Sequence, residues 1–226
     1  MKKSDWLFLI FLFACLQFNC SSEKQAPQQS LYANFEIRYL KPERHLRAQA
    51  SFAKGDSINR KPISFPTVHF EERAMDLKKL SNKVPRYQAE QHTDYQSSFS
   101  FRMIDENNKE INYDLQMSPI DSFQIDGPIQ KSKELKLNWY GAPLKENESL
   151  ILLFTDQDNK ASSQNINGPT EKAELSIPAP KLSKLSPGKG QLYLVKKQIN
   201  FHNDQNSKFR SLIEFYTNSI DIEVQN

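Results

Sequence analysis

Apolar and polar residues alternate along most of this chain with a period of two, the repeat of a strand that buries one face. Ala33, Phe35, Ile37 and Tyr39 fall on one side, while Asn34, Glu36 and Arg38 fall on the other. Leu46, Ala48, Ala50 and Phe52 repeat the pattern around Arg47, Gln49 and Ser51, and Phe99, Phe101 and Met103 do so again. Ile111, Tyr113, Leu115 and Met117 alternate with Asn112, Asp114 and Gln116. Between the last two runs lies Asp105-Glu106-Asn107-Asn108-Lys109, a turn-rich stretch that predicts a hairpin. Phe70, Ala74, Leu77 and Leu80 would fit one helical face. However, Thr67-Val68-His69 enters as a strand and no good N-cap precedes the segment, so strand, turn, strand is favoured over a short helix.

A second series starts near Ser118-Pro119-Ile120. Phe123 and Ile125 mark a short strand, and Leu135, Leu137 and Trp139 alternate with Lys136 and Asn138. Leu150 to Phe154 is a continuous apolar run, as in a strand covered on both faces. Ala173, Leu175 and Ile177 follow, then Leu192 to Val195, Leu212 to Tyr216 and Ile220 to Val224. About seven strands in about 100 residues suit a Greek-key sandwich.

The second half also resembles a fibronectin type III or immunoglobulin-like domain at specific places. Leu135-Lys136-Leu137-Asn138-Trp139 is similar to the second strand of the fibronectin module, which often ends in a buried Trp. Leu182 to Tyr193, with Pro187-Gly188 inside it, is similar to the passage into that module's sixth strand. The chain departs from the family in a long loop expected over 198–209 and in lacking the cell-adhesion tripeptide, so the resemblance implies no adhesion function. The expected fold is all-β: two tandem β-sandwich domains, 31–118 and 119–226, the second immunoglobulin/fibronectin III-like and the first sharing its rhythm without its markers.

The N-terminus breaks the alternation. Lys2 and Lys3 precede an apolar run from Trp6 to Leu16, then Cys20, then the polar Ser21-Ser22-Glu23-Lys24-Gln25. The run is too short to cross a hydrocarbon core of about 30 Å, which takes about 20 helical residues. Its length and flanks are those of a signal peptide. The order of charge, apolar run and cysteine resembles the export signal of a bacterial lipoprotein, in which the cysteine becomes the acylated N-terminus. Gln17, Phe18 and Asn19 fill the lipobox places where the family usually has Leu first and Gly, Ala or Ser last. Leu12-Phe13-Ala14-Cys15 fits that consensus better but leaves a very short signal. Cys20 is therefore the expected lipidation site and Cys15 the alternative. The resemblance implies cleavage after residue 19, a two- or three-chain membrane anchor, a flexible tether over 20–30 and, because Ser21 rather than Asp follows the cysteine, the outer membrane.

Composition narrows the chemistry. Removing Lys2, Lys3 and Asp5 from the 30 basic and 27 acidic residues leaves 28 against 26, with no segment that concentrates charge, so nothing resembles a nucleic-acid groove. With Cys20 acylated and Cys15 removed, no thiol remains for a metal site or a nucleophile. Only six glycines are present, which argues against phosphate-cradling loops, and no cofactor is expected. The Gly-x-Ser-x-Gly and His-Glu-x-x-His signatures are missing.

His69 and Glu71 would share a strand face, but a third metal ligand is not identifiable. His45 is the fourth histidine, and His92 with Asp94 and His202 with Asp204 are loop pairs of the kind chance produces. Asp156, Asp158 and Asn159 would suit calcium but lack EF-hand spacing and read better as a hairpin turn. Tyr87, Tyr95, Trp139 and Tyr140 are the candidates for a sugar-stacking platform. Most of the aromatics, however, alternate in phase with aliphatic residues, as core does, and Tyr140, out of phase with Leu137 and Trp139, is expected to be exposed. Asn147-Glu148-Ser149 matches a glycosylation sequon by coincidence. The expected function is non-enzymatic: binding or scaffolding through loops or strand edges, with another envelope protein or a glycan as partner. A carbohydrate-handling accessory lipoprotein is the alternative, and a hydrolase with a loop-built site the third reading.

Overall fold

The computed structural model describes residues 30–226 except 57, 80–83, 159 and 205. Cys15, Cys20, the expected signal segment and residues 20–29 lie outside the described residues, as do Leu80 and Asn159.

The first half forms nine strands: β1 (Ser30–Leu40), β2 (His45–Gly55), β3 (Arg60–Ile63), β4 (Thr67–Phe70), β5 (Arg73–Ala74), β6 (Asp76–Lys79), β7 (Pro85–His92), β8 (Ser98–Ile104) and β9 (Glu110–Gln116). The second half contributes β10 (Ile120–Ile125), β11 (Ile129–Gln130), β12 (Leu135–Gly141), β13 (Glu148–Asp156), β14 (Ala161–Asn167) and β15 (Glu174–Ile177). A one-turn helix, α1 (Ala179–Leu182), leads to β16 (Gly188–Asn203), β17 (Ser207–Tyr216) and β18 (Ile220–Gln225).

In the second half a three-stranded sheet, β10-β12-β15, packs on β14, β13, β16 and β18, with β11 parallel to β18 at the far edge. This is an immunoglobulin/fibronectin III-like sandwich. Leu137, Trp139, Leu150, Leu152, Leu192 and Leu194 fill it, each at the inward phase that the alternation sets. In the first half β5-β4-β8-β9 packs on β1, β2, β7 and β6 through an aromatic core. Phe35 is its hub, with the rings of Phe101 and Tyr113 at 4.7 and 4.8 Å and that of Phe52 edge-on at 6.0 Å. β2 pairs in turn with β7 and β3 along one side, and Gly55 makes the second pairing possible. A Cβ there would stand 1.9 Å from the Asn59 carbonyl oxygen.

The segment 67–79 is strand, turn, strand as the pattern favours, and β8 and β9 form the expected hairpin. Asp105 Oδ1 closes that hairpin by accepting the N–H groups of Asn107 and Lys109, both at 2.8 Å. β1 starts at Ser30, one residue inside the expected tether.

Residues 198–209 are not the expected loop. β16 is a 16-residue strand, about 50 Å long at strand rise, that ends at Asn203, and β17 starts at Ser207. The near part of β16 pairs with β18, Gly188 through Leu192, and the far part with β17, Val195 through Asn203. β17 then lies parallel to β1, in register from Leu31↔Ser207 to Leu40↔Tyr216. A strand from the second half is thus part of the first sandwich, and one 11-stranded sheet runs through both. The reason the pattern hid this is chemical. The positions of β16 that continue the inward phase of Leu192 and Leu194 are Lys196, Gln198 and Asn200, which read as loop residues in a binary pattern.

Candidate functional site

The aromatic candidates for a sugar platform go mostly to the core. Tyr87 is 3% exposed; its hydroxyl accepts from Phe65 N at 2.9 Å and donates to Phe65 O at 2.7 Å. Tyr95 packs against Tyr39 and Phe215 and donates to Met117 O at 3.0 Å. Trp139 is buried and its Nε1 donates to Ala142 O at 3.0 Å. Tyr140 alone is exposed, at 59%, so these four rings make no stacking surface.

The metal candidates do not converge either. Glu71 lies in the left-handed turn after β4 (φ 53°), and its Oε1 accepts from Ser100 N at 2.9 Å, while the Nδ1 of His69 is buried and unpartnered among the described residues. Asp94 pairs with Arg44 at 3.0 Å, and His92 turns to Glu43 O. His45 packs ring to ring with His92 at 5.2 Å. Asp204 lies 3.7 Å from His202, but its Oδ1 accepts from the N–H groups of Asn206 and Ser207. Asp156 closes the β13–β14 turn through the N–H groups of Asp158 (3.0 Å) and Lys160 (2.8 Å). The Ser186 hydroxyl and those N–H groups hold its carboxyl below the usual carboxylate range. Among the described residues no three His, Cys, Asp or Glu side chains gather closely enough for a metal. Asn147, the sequon asparagine, donates its side-chain N–H to Asn200.

A strand edge is what remains. β14 pairs with β13 on one side and with no described strand on the other. Its sequence, Ala161-Ser162-Ser163-Gln164-Asn165-Ile166-Asn167, carries no charge and no proline. Native proteins usually protect such edges with charge, proline, bulges or shortness. The other described edges longer than two residues follow that rule: β3 has Arg60, Lys61 and Pro62, β6 has Asp76 and two lysines, β9 has Glu110 and Asp114, β10 has Asp121 and β15 has Glu174. The alternation turns Ser162, Gln164 and Ile166 inward and leaves Ser163 and Asn165 exposed. At the start of β14 opens a pocket of about 290 Å³, with Phe154, Leu185 and Ile222 in its wall and Lys160, Lys184 and Lys189 around it. The strand backbone provides unused hydrogen-bonding groups, and the pocket beside it can take a side chain. Sequence reading missed β14, whose only apolar residues are Ala161 and Ile166.

No protein-family model matches the chain, and no curated protein matches its sequence. Among solved structures the chain is similar to the FN1-FN3 domains of chicken CNTN1, at 11% identity and a TM-score of 0.28, over 88% of this chain and 66% of that one. It is also similar to a chain of a cytokine receptor complex, at 9% identity and a TM-score of 0.33, over 84% of this chain and 95% of that one. The chain therefore spans 66% of the CNTN1 structure it resembles, and likeness at these levels bears on no function.

Proposed function

We propose that this chain is a lipid-anchored protein of the bacterial cell envelope, at the outer membrane, that works by binding another envelope protein rather than by catalysis. Cys20 carries the acyl chains, with Cys15 as the alternative. The uncharged edge of β14 carries the binding part of this reading: it accepts an extended strand from the partner, main chain to main chain, and the adjoining pocket selects one of the partner's side chains. The anchor reading is supported by the order of Lys2-Lys3, the apolar run and Cys20, followed ten residues later by the first strand. No helix among the described residues is long and apolar enough to cross a membrane. Two or three acyl chains supply the hold that one chain alone gives only marginally.

Growing cells fed a palmitate analogue test the anchor. The wild type takes up label and the Cys20→Ala variant does not. Loss of label only in Cys15→Ala moves the anchor to Cys15, and an unlabelled wild type removes it.

A further inference from the structure

The outer face of the first sandwich holds a trough of about 590 Å³ at the end where β1 starts. Strand register assembles it. Lys208, Tyr32, Ala53 and Pro62 stand in one row across β17, β1, β2 and β3, and Phe201, Arg210 and Asn34 stand in the next. Among the described residues its lining includes Arg60, Lys208 and Arg210 and no carboxylate. The Arg60 guanidinium lies 3.8 Å from the centre of the Tyr32 ring and the Lys208 ammonium 5.7 Å from it, while Arg210 donates to Asn34 Oδ1 at 2.8 Å. The cations are thus oriented by an aromatic ring and an amide rather than neutralised by acids. Phe201 (69%) and Ile58 (86%), the two most exposed large apolar side chains described, belong to the same end. The acids of the neighbouring hairpin tips, Asp56 and Asp204, each accept two backbone N–H groups of their own turn at Oδ1.

Ser30 pairs with Gly55 beside this trough, and residues 20–29 join it to Cys20. Ten extended residues span at most about 35 Å, so an anchor at Cys20 keeps the trough within that distance of the bilayer. We propose that the trough docks on the acidic headgroups of the membrane that holds the anchor. Arg60, Lys208 and Arg210 take lipid phosphates, and Phe201 and Ile58 enter the interface. This inference rests on the anchored reading above, but its test is separate.

The test uses the mature chain, residues 20–226, carrying Cys20→Ser and therefore no acyl group, sedimented with vesicles of phosphatidylcholine alone or mixed with phosphatidylglycerol. The wild-type surface binds only the mixed vesicles. Each basic side chain near an acidic surface contributes about fivefold, so R60E/K208E weakens binding at least about 20-fold. Phe201→Ser weakens it further, and K133E/K136E, with the same charge change on the second sandwich, leaves it close to wild type. All substituted side chains are on the surface, and unchanged melting curves verify folding. Equal binding to neutral vesicles, full binding by R60E/K208E, or displacement by inorganic phosphate at matched ionic strength overturns the proposal, the last by assigning the trough to a soluble phosphorylated ligand. Because no acyl chain is present, this result and the palmitate result can fail independently.

Discussion

Lys196 Nζ lies 3.0 Å from Glu148 Oε2, and neither side chain keeps more than 1% of its exposure. The pair sits where the two sandwiches meet. Lys196 also donates to the carbonyl oxygen of Ser118, between β9 and β10, at 3.1 Å. Glu148 accepts from Lys145 N at 2.9 Å and, at the 3.5 Å limit, from Gln198. Asn200 extends the polar seam to Ser211, which Tyr113 reaches from the first sandwich, both links again at 3.5 Å. Burial pushes the Lys196 ammonium below its ordinary pKa, and the Glu148 charge opposes that shift. Removing such ions from water costs several kcal/mol each, which attraction offsets only when the geometry is good and the remaining donors and acceptors are satisfied.

Removing one member should therefore cost much more than removing both. Lys196→Met leaves a buried carboxylate without its cation, at an expected loss of about 3–5 kcal/mol. The double variant Lys196→Met/Glu148→Gln keeps an acceptor for Lys145 N and carries no orphaned charge. Its loss in urea denaturation should be clearly smaller than that of either single variant. Simple additivity would mean that the pair contributes no coupling.

Alkaline pH should destabilise the fold through Tyr95. Burial first, and the Glu148 charge second, raise its pKa above the ordinary 10.0, and burial raises Tyr39 and Tyr216 as well. Above pH 10.0 the unfolded chain releases these protons while the fold retains them, so the folded state binds more protons and stability falls as pH rises. Below that value the contribution is fully present. Lys196, with its lowered pKa, acts in the opposite direction up to its ordinary 10.5, so the Tyr95 share is read by comparison with a variant. Tyr95→Phe loses the bond to Met117 O, about 1 kcal/mol at neutral pH, yet its melting temperature should decline less steeply than wild type above pH 10.0. Parallel declines would clear Tyr95 of any part in the alkaline loss.

Phe209 belongs to the second half of the sequence and to the core of the first. It is 5% exposed, with ring centres 5.8 Å from Phe35 and 5.2 Å from Tyr113. Phe209→Ala should cost about 3–5 kcal/mol. Of the two tryptophans, Trp6 lies in the expected signal segment, so the mature chain emits from Trp139 alone, within the second core. Since β16 runs through both sandwiches and β17 joins β1, the midpoint followed by Trp139 fluorescence should fall as far as that followed by circular dichroism. A Trp139 midpoint left in place would show that the halves unfold separately.

Where inward positions are apolar, the strands are visible in the sequence: Phe35 and Ile37 for β1, Phe99 and Phe101 for β8, Leu150 and Leu152 for β13. Where they are not, the pattern fails. The buried Lys196 and Gln198 made the far half of β16 look like a loop, and with it went the parallel pairing of β17 on β1. β14 was hidden for the same reason, since Ser162 and Gln164 take its inward positions. The cationic trough was equally out of reach, because Arg60, Lys208 and Arg210 are spread over 150 residues and meet only through sheet register. Isolated features, such as the exposed Tyr140 and the core phase of Trp139, could be read locally and agree with the structure.

The β14 edge gives a last expectation, about partners rather than stability. Ser163 and Asn165 are exposed, so Ser163→Lys/Asn165→Lys should change folding stability by no more than about 0.5 kcal/mol. The same two lysines place charge along the only described edge longer than two residues that lacks it, which is how natural edges discourage pairing. A photo-reactive residue placed at Asn167 should crosslink to a discrete envelope partner in growing cells, and the double substitution should abolish that product. The same probe at Asp114, on the charged edge of β9, should give no comparable band. Crosslinking that persists through the lysines, or that appears equally from β9, would mean that the partner is not held by strand addition at β14.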